Sequence, residues 1–224
     1  MIKALVFDFD GLILDTETPD YASWREIYEE YGGELTLEEW SVCIGKAEVD
    51  FDPYAILEGQ IGRSIERSAI RQKRRARYLE MVEAQEPLPG VLRYLEDAHK
   101  AGFKIGMATS STEGWAWSHL QRLQLEHYFE VIHTAGDVAQ AKPHPALYRM
   151  TVEALGVPPQ RALALEDSRN GMLSAKAAGL HCVVVPNGMT KGLDFTEADR
   201  QLNSLADITL ADLCRQLTDT RHWS

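Results

Sequence analysis

The sequence has little cysteine and no long apolar run. Three of its 224 residues are cysteines. Because they are odd in number and widely spaced, at Cys43, Cys182 and Cys214, we expect reduced thiols and neither a disulfide framework nor a zinc site. No apolar run approaches the roughly 18 residues that span a bilayer. The N-terminal apolar run ends at Asp8, and a run of this length is too short for a signal-peptide core. These absences predict a cytoplasmic protein that has no membrane partner.

Positive charge is also scarce. Lysine and arginine number 23 against 34 aspartates and glutamates, a formal net charge of −11. Non-specific binding of DNA or RNA relies on basic residues that neutralise phosphates, so this balance argues against a nucleic-acid partner. It also repels phosphorylated molecules at long range. A phosphate ester would therefore need a locally positive site, made by a metal ion or by a few basic residues.

The most informative stretch is an apolar run, residues 2–7, that ends at two carboxylates, Asp8 and Asp10. A nearly continuous apolar run is typical of a parallel strand that is covered on both faces. Ligands of open α/β sheets bind beyond the carboxyl ends of the strands. Positions two apart point the same way, so both aspartates can face one pocket, and Gly11 lets the backbone turn away. The alternative is that the aspartates only form the turn that ends the strand.

The pattern then becomes helical. An apolar stripe with spacings of three and four runs from Tyr21 to Tyr31. Thr36 is predicted to be the N-cap of a second helix, and a longer helix is predicted for residues 64–84. A proline-rich break leads to Gly90. We therefore predict an all-helical insert at residues 15–88 within a core made of residues 1–14 and 89–224. The basic run at residues 71–77 is interpreted as a solvated helix face, with a phosphate- or nucleic-acid-binding patch as the alternative.

Beyond Gly90, helical and strand patterns alternate regularly. Strands are predicted at residues 103–108, 129–133, 162–165 and 181–185, with helices between them. This alternation predicts an α/β fold with a doubly wound, Rossmann-like parallel sheet.

Polar residues follow the ends of several predicted strands, and their chemistry is coherent. After the strand with Asp8 and Asp10 come, in chain order, Thr109, Ser110 and Ser111, then Lys142, then Glu166, Asp167 and Ser168. Each group has an ordinary explanation as a cap or a surface residue. Together they lie at one edge of the predicted sheet. Carboxylate oxygens suit Mg²⁺, while Lys142 and Thr109 suit phosphoryl oxygens, and an aspartate beside them can act as a nucleophile.

These residues resemble the haloacid dehalogenase-like hydrolase superfamily, in its branch with a helical cap after the first strand. The four motifs are Asp8-Phe-Asp10-Gly11 with Thr16 following, Thr109, Lys142, and Glu166-Asp167, and the likeness covers essentially the whole chain. It implies that Asp8 is the nucleophile, that Asp10 is the acid and base, and that Thr109 and Lys142 complete the catalytic set. The implied Mg²⁺ ligands are Asp8, the Asp10 backbone carbonyl, Glu166 and Asp167. The implied phosphate- or substrate-binding residues are Gly11, Thr16, Ser110 and the cap residue Lys46.

The resemblance predicts a Mg²⁺-dependent phosphatase that acts on a small sugar or polyol phosphate, as a monomer or weak homo-oligomer. Related dehalogenases lack an acid at the position of Asp10, which argues against dehalogenation. The main alternative is a β-phosphoglucomutase, but such mutases have a histidine where this chain has Asp20, and their cap-loop lysine and arginine align with Ile44 and Glu48. A non-catalytic binding protein on the same fold is the second alternative.

Overall fold

The computed structural model describes residues 1–41 and 51–219. The chain forms two compact units: Met1–Leu14 with Glu86–Ser224, called the core unit here, and Asp15–Gln85, called the helical unit. Among the described residues, no helix combines the length and the apolar character needed to cross a membrane.

The helical unit contains α1 (Glu17–Tyr31), α2 (Leu37–Ser41), α3 (Pro53–Ile61) and α4 (Arg67–Glu83). The buried residues on α1 and α4 include Trp24, Tyr28 and Tyr78, which come from the stripe and the long helix predicted from the sequence. Thr36 caps α2, because its hydroxyl accepts a hydrogen bond from the amide of Glu39. This unit therefore draws its core from the apolar stripes of its helices.

The basic run of α4 pairs with acidic residues of α1. Lys73 bonds Glu30 at 2.5 Å, Arg77 bonds Glu26 at 2.9 Å, and Arg74 bonds Asp20. The guanidinium of Arg74 also lies over the ring of Trp24. Three basic side chains of the run are thus neutralised within the unit, so they do not form a free patch for phosphates.

The core unit is built on a parallel sheet, which has six strands in the described part of the chain. Its spatial order is β3-β2-β1-β4-β5-β6, so the N-terminal strand lies at the centre. Every neighbouring pair is parallel. The strands are β1 (Ala4–Phe7), β2 (Lys104–Ala108), β3 (Val131–His133), β4 (Ala162–Glu166), β5 (His181–Val184) and β6 (Arg200–Gln201).

Both faces of the sheet are covered. The core helices are α5 (Val91–Lys100), α6 (Glu113–Arg122), α7 (Ala146–Ala154), α8 (Arg169–Ala177) and α9 (Leu210–Asp219). Ala4 and Val6 of β1 join an apolar cluster with residues of α7 and α8, whereas Leu5 and Phe7 point to the opposite face and are also fully buried. This explains the continuous apolar run at the N-terminus, and it confirms the predicted doubly wound α/β class.

The structure differs from the sequence prediction at the edges of the sheet. The predicted strand at residues 129–133 begins only at Val131, because a 3₁₀ turn, Glu126–Tyr128, precedes it. The strand β6 was not predicted, since two polar residues are too short for a periodic pattern.

A partly buried carboxylate, that of Asp199, connects β5 to the chain beside β6. One carboxylate oxygen of Asp199 accepts bonds from the Cys182 amide at 2.7 Å and from the Lys176 ammonium at 2.6 Å. Partial burial acts to raise the pKa of Asp199, but the bonds from His181, Lys176 and the Cys182 amide hold this pKa well below its ordinary value.

We expect Asp199→Asn to lower the free energy of unfolding by about 1–3 kcal/mol at pH 7, the usual contribution of bonds to a charged group. Because the pKa is depressed in the folded state, this stability is present above the unfolded aspartate pKa of about 3.9 and is lost as the pH falls below it. Urea unfolding at pH 7 and pH 3 measures the difference, which should shrink at pH 3. Asp207→Asn, at an exposed position, is the control, and equal effects of the two changes would contradict the prediction.

Candidate active site

The first aspartate lies at the carboxyl end of the central strand. The backbone amide of Asp8 bonds the carbonyl of Leu165 on β4, which extends the ladder by one residue, and the Asp8 side chain is 10% exposed. Gly11 then turns the chain with φ +75°, and a Cβ at this position would lie 2.2 Å from the carboxylate Oδ2 of Asp167. The turn therefore needs glycine for its backbone conformation and for the close approach of Asp167.

Lys142 joins two of the predicted motifs. Its ammonium lies 2.7 Å from Asp8 Oδ1 and 2.6 Å from Glu166 Oε1, and its side chain is only 5% exposed. Glu166 is the last residue of β4 and is fully buried. One cation thus bridges two buried carboxylates that come from neighbouring strands.

Burial and mutual charge perturb these groups. Burial raises the pKa of Asp8 to about 7, the charge of Glu166 acts in the same direction, and Lys142 opposes both. For Lys142, burial disfavours the cation, but the carboxylates of Asp8 and Glu166 outweigh that effect and raise its pKa. Lys142 is therefore a permanent cation at neutral pH.

Glu166 is held by protein donors on both oxygens. Its Oε1 accepts bonds from Lys142 and, at 2.5 Å, from the hydroxyl of Tyr148, while its Oε2 accepts a bond from Ser168 at 3.2 Å. Gly171 packs so closely that a Cβ there would lie 1.9 Å from Oε2. Since each carboxylate oxygen offers two acceptor positions, Oε1 is filled and Oε2 retains one position.

The acidic residues fit a divalent cation. Carboxylate oxygens of Asp8, Glu166 and Asp167 lie within 4.8 Å of one another, and all three residues are buried. When all three are ionised, their negative charges exceed the single positive charge of Lys142 by two. Such an excess is costly in a buried site unless more positive charge is added. An all-oxygen donor set of this kind suits Mg²⁺ or Ca²⁺.

The third strand-end group lies after β2. Thr109 is 1% exposed, its amide bonds the carbonyl of His133, and its hydroxyl accepts a bond from the amide of Ser111. Ser111 in turn donates to the carboxylate of Asp10. Ser110 is exposed. The structure therefore connects the loop after β2 to Asp10.

Two predicted binding residues lie elsewhere in the chain. Thr16 is buried in the helical unit, where it precedes α1 without a side-chain cap bond. Lys46 lies outside the described residues, as do Ile44 and Glu48, the positions that align with the cap-loop lysine and arginine of the mutases. The roles assigned to these residues stay predictions.

Three side chains that bond the predicted site residues were not themselves predicted. Tyr148 bonds Glu166, Trp115 bonds Asp10, and Asn187 donates to Asp167 Oδ2 at 2.7 Å. Asn187 follows β5, so a search for polar residues beyond the ends of the predicted strands would have identified it. Tyr148 and Trp115 lie on helices, and no local signal marks them.

The structure has a Rossmann-like sheet with a buried aspartate–lysine pair and further carboxylates at its carboxyl edge. This combination defines a class of hydrolases. The family model described as haloacid dehalogenase-like hydrolase matches residues 5–185, and the chain belongs to this family.

Curated relatives and solved structures agree with this assignment. "Putative phosphatase YhcW" of Bacillus subtilis is 47% identical over 217 residues, which cover 97% of this chain and 98% of that protein. "Phosphorylated carbohydrates phosphatase" of Thermotoga maritima is 30% identical, with coverage of 88% and 91%. A mutant of CbbY from Rhodobacter sphaeroides, solved in complex with xylulose-(1,5)bisphosphate, has a TM-score of 0.69 at 28% identity, with coverage of 95% and 99%. The predicted class, a phosphoric monoester hydrolase of this superfamily, is confirmed.

Proposed function

We propose that the enzyme is a cytoplasmic, Mg²⁺-dependent phosphatase that hydrolyses a small sugar or polyol phosphate through an aspartyl-phosphate intermediate. The observation that carries the proposal is the buried cluster of Asp8, Lys142, Glu166 and Asp167 at the carboxyl ends of β1 and β4. The names of the relatives support the substrate class, because one acts on phosphorylated carbohydrates and another was solved with a sugar bisphosphate.

In this mechanism, a carboxylate oxygen of Asp8 attacks the phosphorus and the bond from phosphorus to the leaving oxygen breaks. Asp10 donates a proton to that oxygen, so the product leaves as an alcohol. Asp10, now ionised, then takes a proton from a water molecule that attacks the phosphorus. The bond to Asp8 breaks, inorganic phosphate is released, and both aspartates return to their initial states.

Lys142 keeps its charge throughout and stabilises the negative charge on Asp8 and on the phosphoryl oxygens, since it is fixed by Glu166 on its other side. Thr109 offers its hydroxyl to a phosphoryl oxygen. The residues that would hold Mg²⁺ are Asp8, Glu166 and Asp167, together with the backbone carbonyl of Asp10. Bound there, the ion supplies positive charge for the phosphoryl group.

The helical unit acts as the cap in this proposal and reads the part of the substrate beyond the phosphate. Thr16 and Lys46 belong to this unit and contribute to phosphate or substrate binding. Gly11 and Ser110 do so from the core unit. The length of the unit, Asp15–Gln85, is ample for such a module.

Phosphate release from a panel of sugar, polyol and nucleotide monophosphates tests the proposal. We expect release from one or more sugar or polyol phosphates with Mg²⁺, and a loss of at least about 100-fold with EDTA, because the uncompensated carboxylates repel the phosphate. Interconversion of β-glucose 1-phosphate and glucose 6-phosphate without phosphate release would favour the mutase instead. Release that is unaffected by EDTA would contradict the metal dependence.

A further inference from the structure

Asp10 is held by a donor on each of its two carboxylate oxygens. The indole nitrogen of Trp115 donates to Oδ1 at 2.9 Å, and the hydroxyl of Ser111 donates to Oδ2. Both donors lie beyond β2, and Trp115 lies in the first turn of α6. The carboxylate is therefore fixed from two directions by residues more than 100 positions away in the chain.

The two donors differ chemically. An indole N–H only donates, whereas a serine hydroxyl both donates and accepts. A proton on Oδ1 would weaken that oxygen as the acceptor for Trp115. A proton on Oδ2 leaves Oδ1 as the carbonyl oxygen, which is the better acceptor, and Ser111 can rotate to accommodate the new hydroxyl. The arrangement therefore favours Oδ2 as the oxygen that carries the proton.

Trp115 is itself positioned by packing. Its amide bonds the capping hydroxyl of Thr112. Its ring meets that of His119 edge-on at 4.3 Å, and the buried His119 stacks on Phe9, with centroids 6.1 Å apart. Phe9 lies between Asp8 and Asp10 in the chain. The aromatic contacts thus tie α6 to the segment that carries both aspartates, which limits the freedom of the indole N–H.

We propose that Trp115 is a positioning residue that orients Asp10 for proton transfer and reserves Oδ2 as the proton-carrying oxygen. This inference rests on the proposed function. In the first step, the proton on Oδ2 passes to the leaving oxygen as its bond to phosphorus breaks. In the second step, Oδ2 takes the proton of the attacking water as the bond from phosphorus to Asp8 breaks.

The test compares two esters of similar shape in Trp115→Phe, which keeps an aromatic ring against His119 but has no N–H. The p-nitrophenolate of p-nitrophenyl phosphate leaves without a proton, whereas the alkoxide of p-nitrobenzyl phosphate needs one. We expect kcat/KM for the benzyl ester to fall about 10- to 100-fold, a part of the usual contribution of general acid catalysis. For the phenyl ester it should change little. Trp117→Phe, on an exposed tryptophan of the same helix, is the matched control and should alter neither ester.

A second measurement does not depend on turnover. In ¹⁵N-labelled protein, the indole proton resonance of Trp115 should move upfield in Asp10→Ala, while that of Trp117 stays in place. An unchanged Trp115 resonance, or an equal loss of both esters in Trp115→Phe, would contradict the inference alone. A wild-type enzyme that hydrolyses neither ester, nor any member of the panel above, would contradict the proposed function and this inference with it.

Discussion

Asp8→Asn is expected to release phosphate at least about 10⁴-fold more slowly than the wild-type enzyme, the scale of loss seen when a nucleophile is removed. The amide oxygen of asparagine has the shape of the carboxylate oxygen but lacks its charge, so it cannot form the acyl phosphate. The fold should persist, because the change removes one of three buried negative charges that lie close together and repel one another. Phosphate release at saturating Mg²⁺ and thermal unfolding measure the two effects.

The control for this variant is Asp97→Asn, which makes the same chemical change on α5 and should leave the rate unaltered. Mass spectrometry of the variant excludes deamidation back to aspartate, which would restore a false residual rate. A deamidation-free Asp8→Asn protein with more than about a tenth of the wild-type rate would show that Asp8 is not the nucleophile.

The core of the fold was predictable because central parallel strands are buried on both faces. That burial requires the apolar runs seen at β1, β4 and β5, and a run of four such residues is visible in the sequence at each of them. The edge strand β6 is not buried in this way, so it does not require an apolar run. It is two residues long, and the side chain and backbone of Asp199 beside it hold the chain at β5. Such an edge depends on long-range contacts and leaves no periodic signal.

The placement of the candidate site residues was predictable to the extent that they lie at strand ends. That rule selected Asp8, Asp10, Thr109, Glu166 and Asp167, which the structure places at or just beyond the ends of β1, β2 and β4, while their roles stay predictions. The sequence could not show which side chains of the site contact one another. Lys142 reaches across 134 positions to Asp8, and Tyr148 reaches Glu166 from a helix. The basic run of α4 shows the same limit, because its partners on α1 lie more than 40 positions away.

Lys142→Met is expected to lower the free energy of unfolding by about 3–5 kcal/mol in the absence of Mg²⁺ and to abolish phosphate release. Removing one partner of a buried charge cluster leaves the others uncompensated, which is the source of this large cost. Here Asp8 and Glu166 would both lose the ammonium that lies within 2.7 Å of each. Urea unfolding with EDTA measures the stability. Lys176→Met is the matched control, since that lysine is 28% exposed beside Asp199, and its cost should be nearer 1 kcal/mol.

The double variant Lys142→Met with Glu166→Gln separates repulsion from catalysis. Glutamine removes the charge that faces Asp8 but keeps an oxygen for the hydroxyl of Tyr148, so the double variant should be more stable than Lys142→Met alone. Its phosphate release should stay abolished, because no cation then offsets the charge of Asp8 and of the phosphoryl group. If Glu166→Gln instead destabilised the Lys142→Met protein further, the two carboxylates would not be repelling each other. If Lys142→Met kept wild-type stability, the buried ammonium would not be what allows Asp8 and Glu166 to lie together.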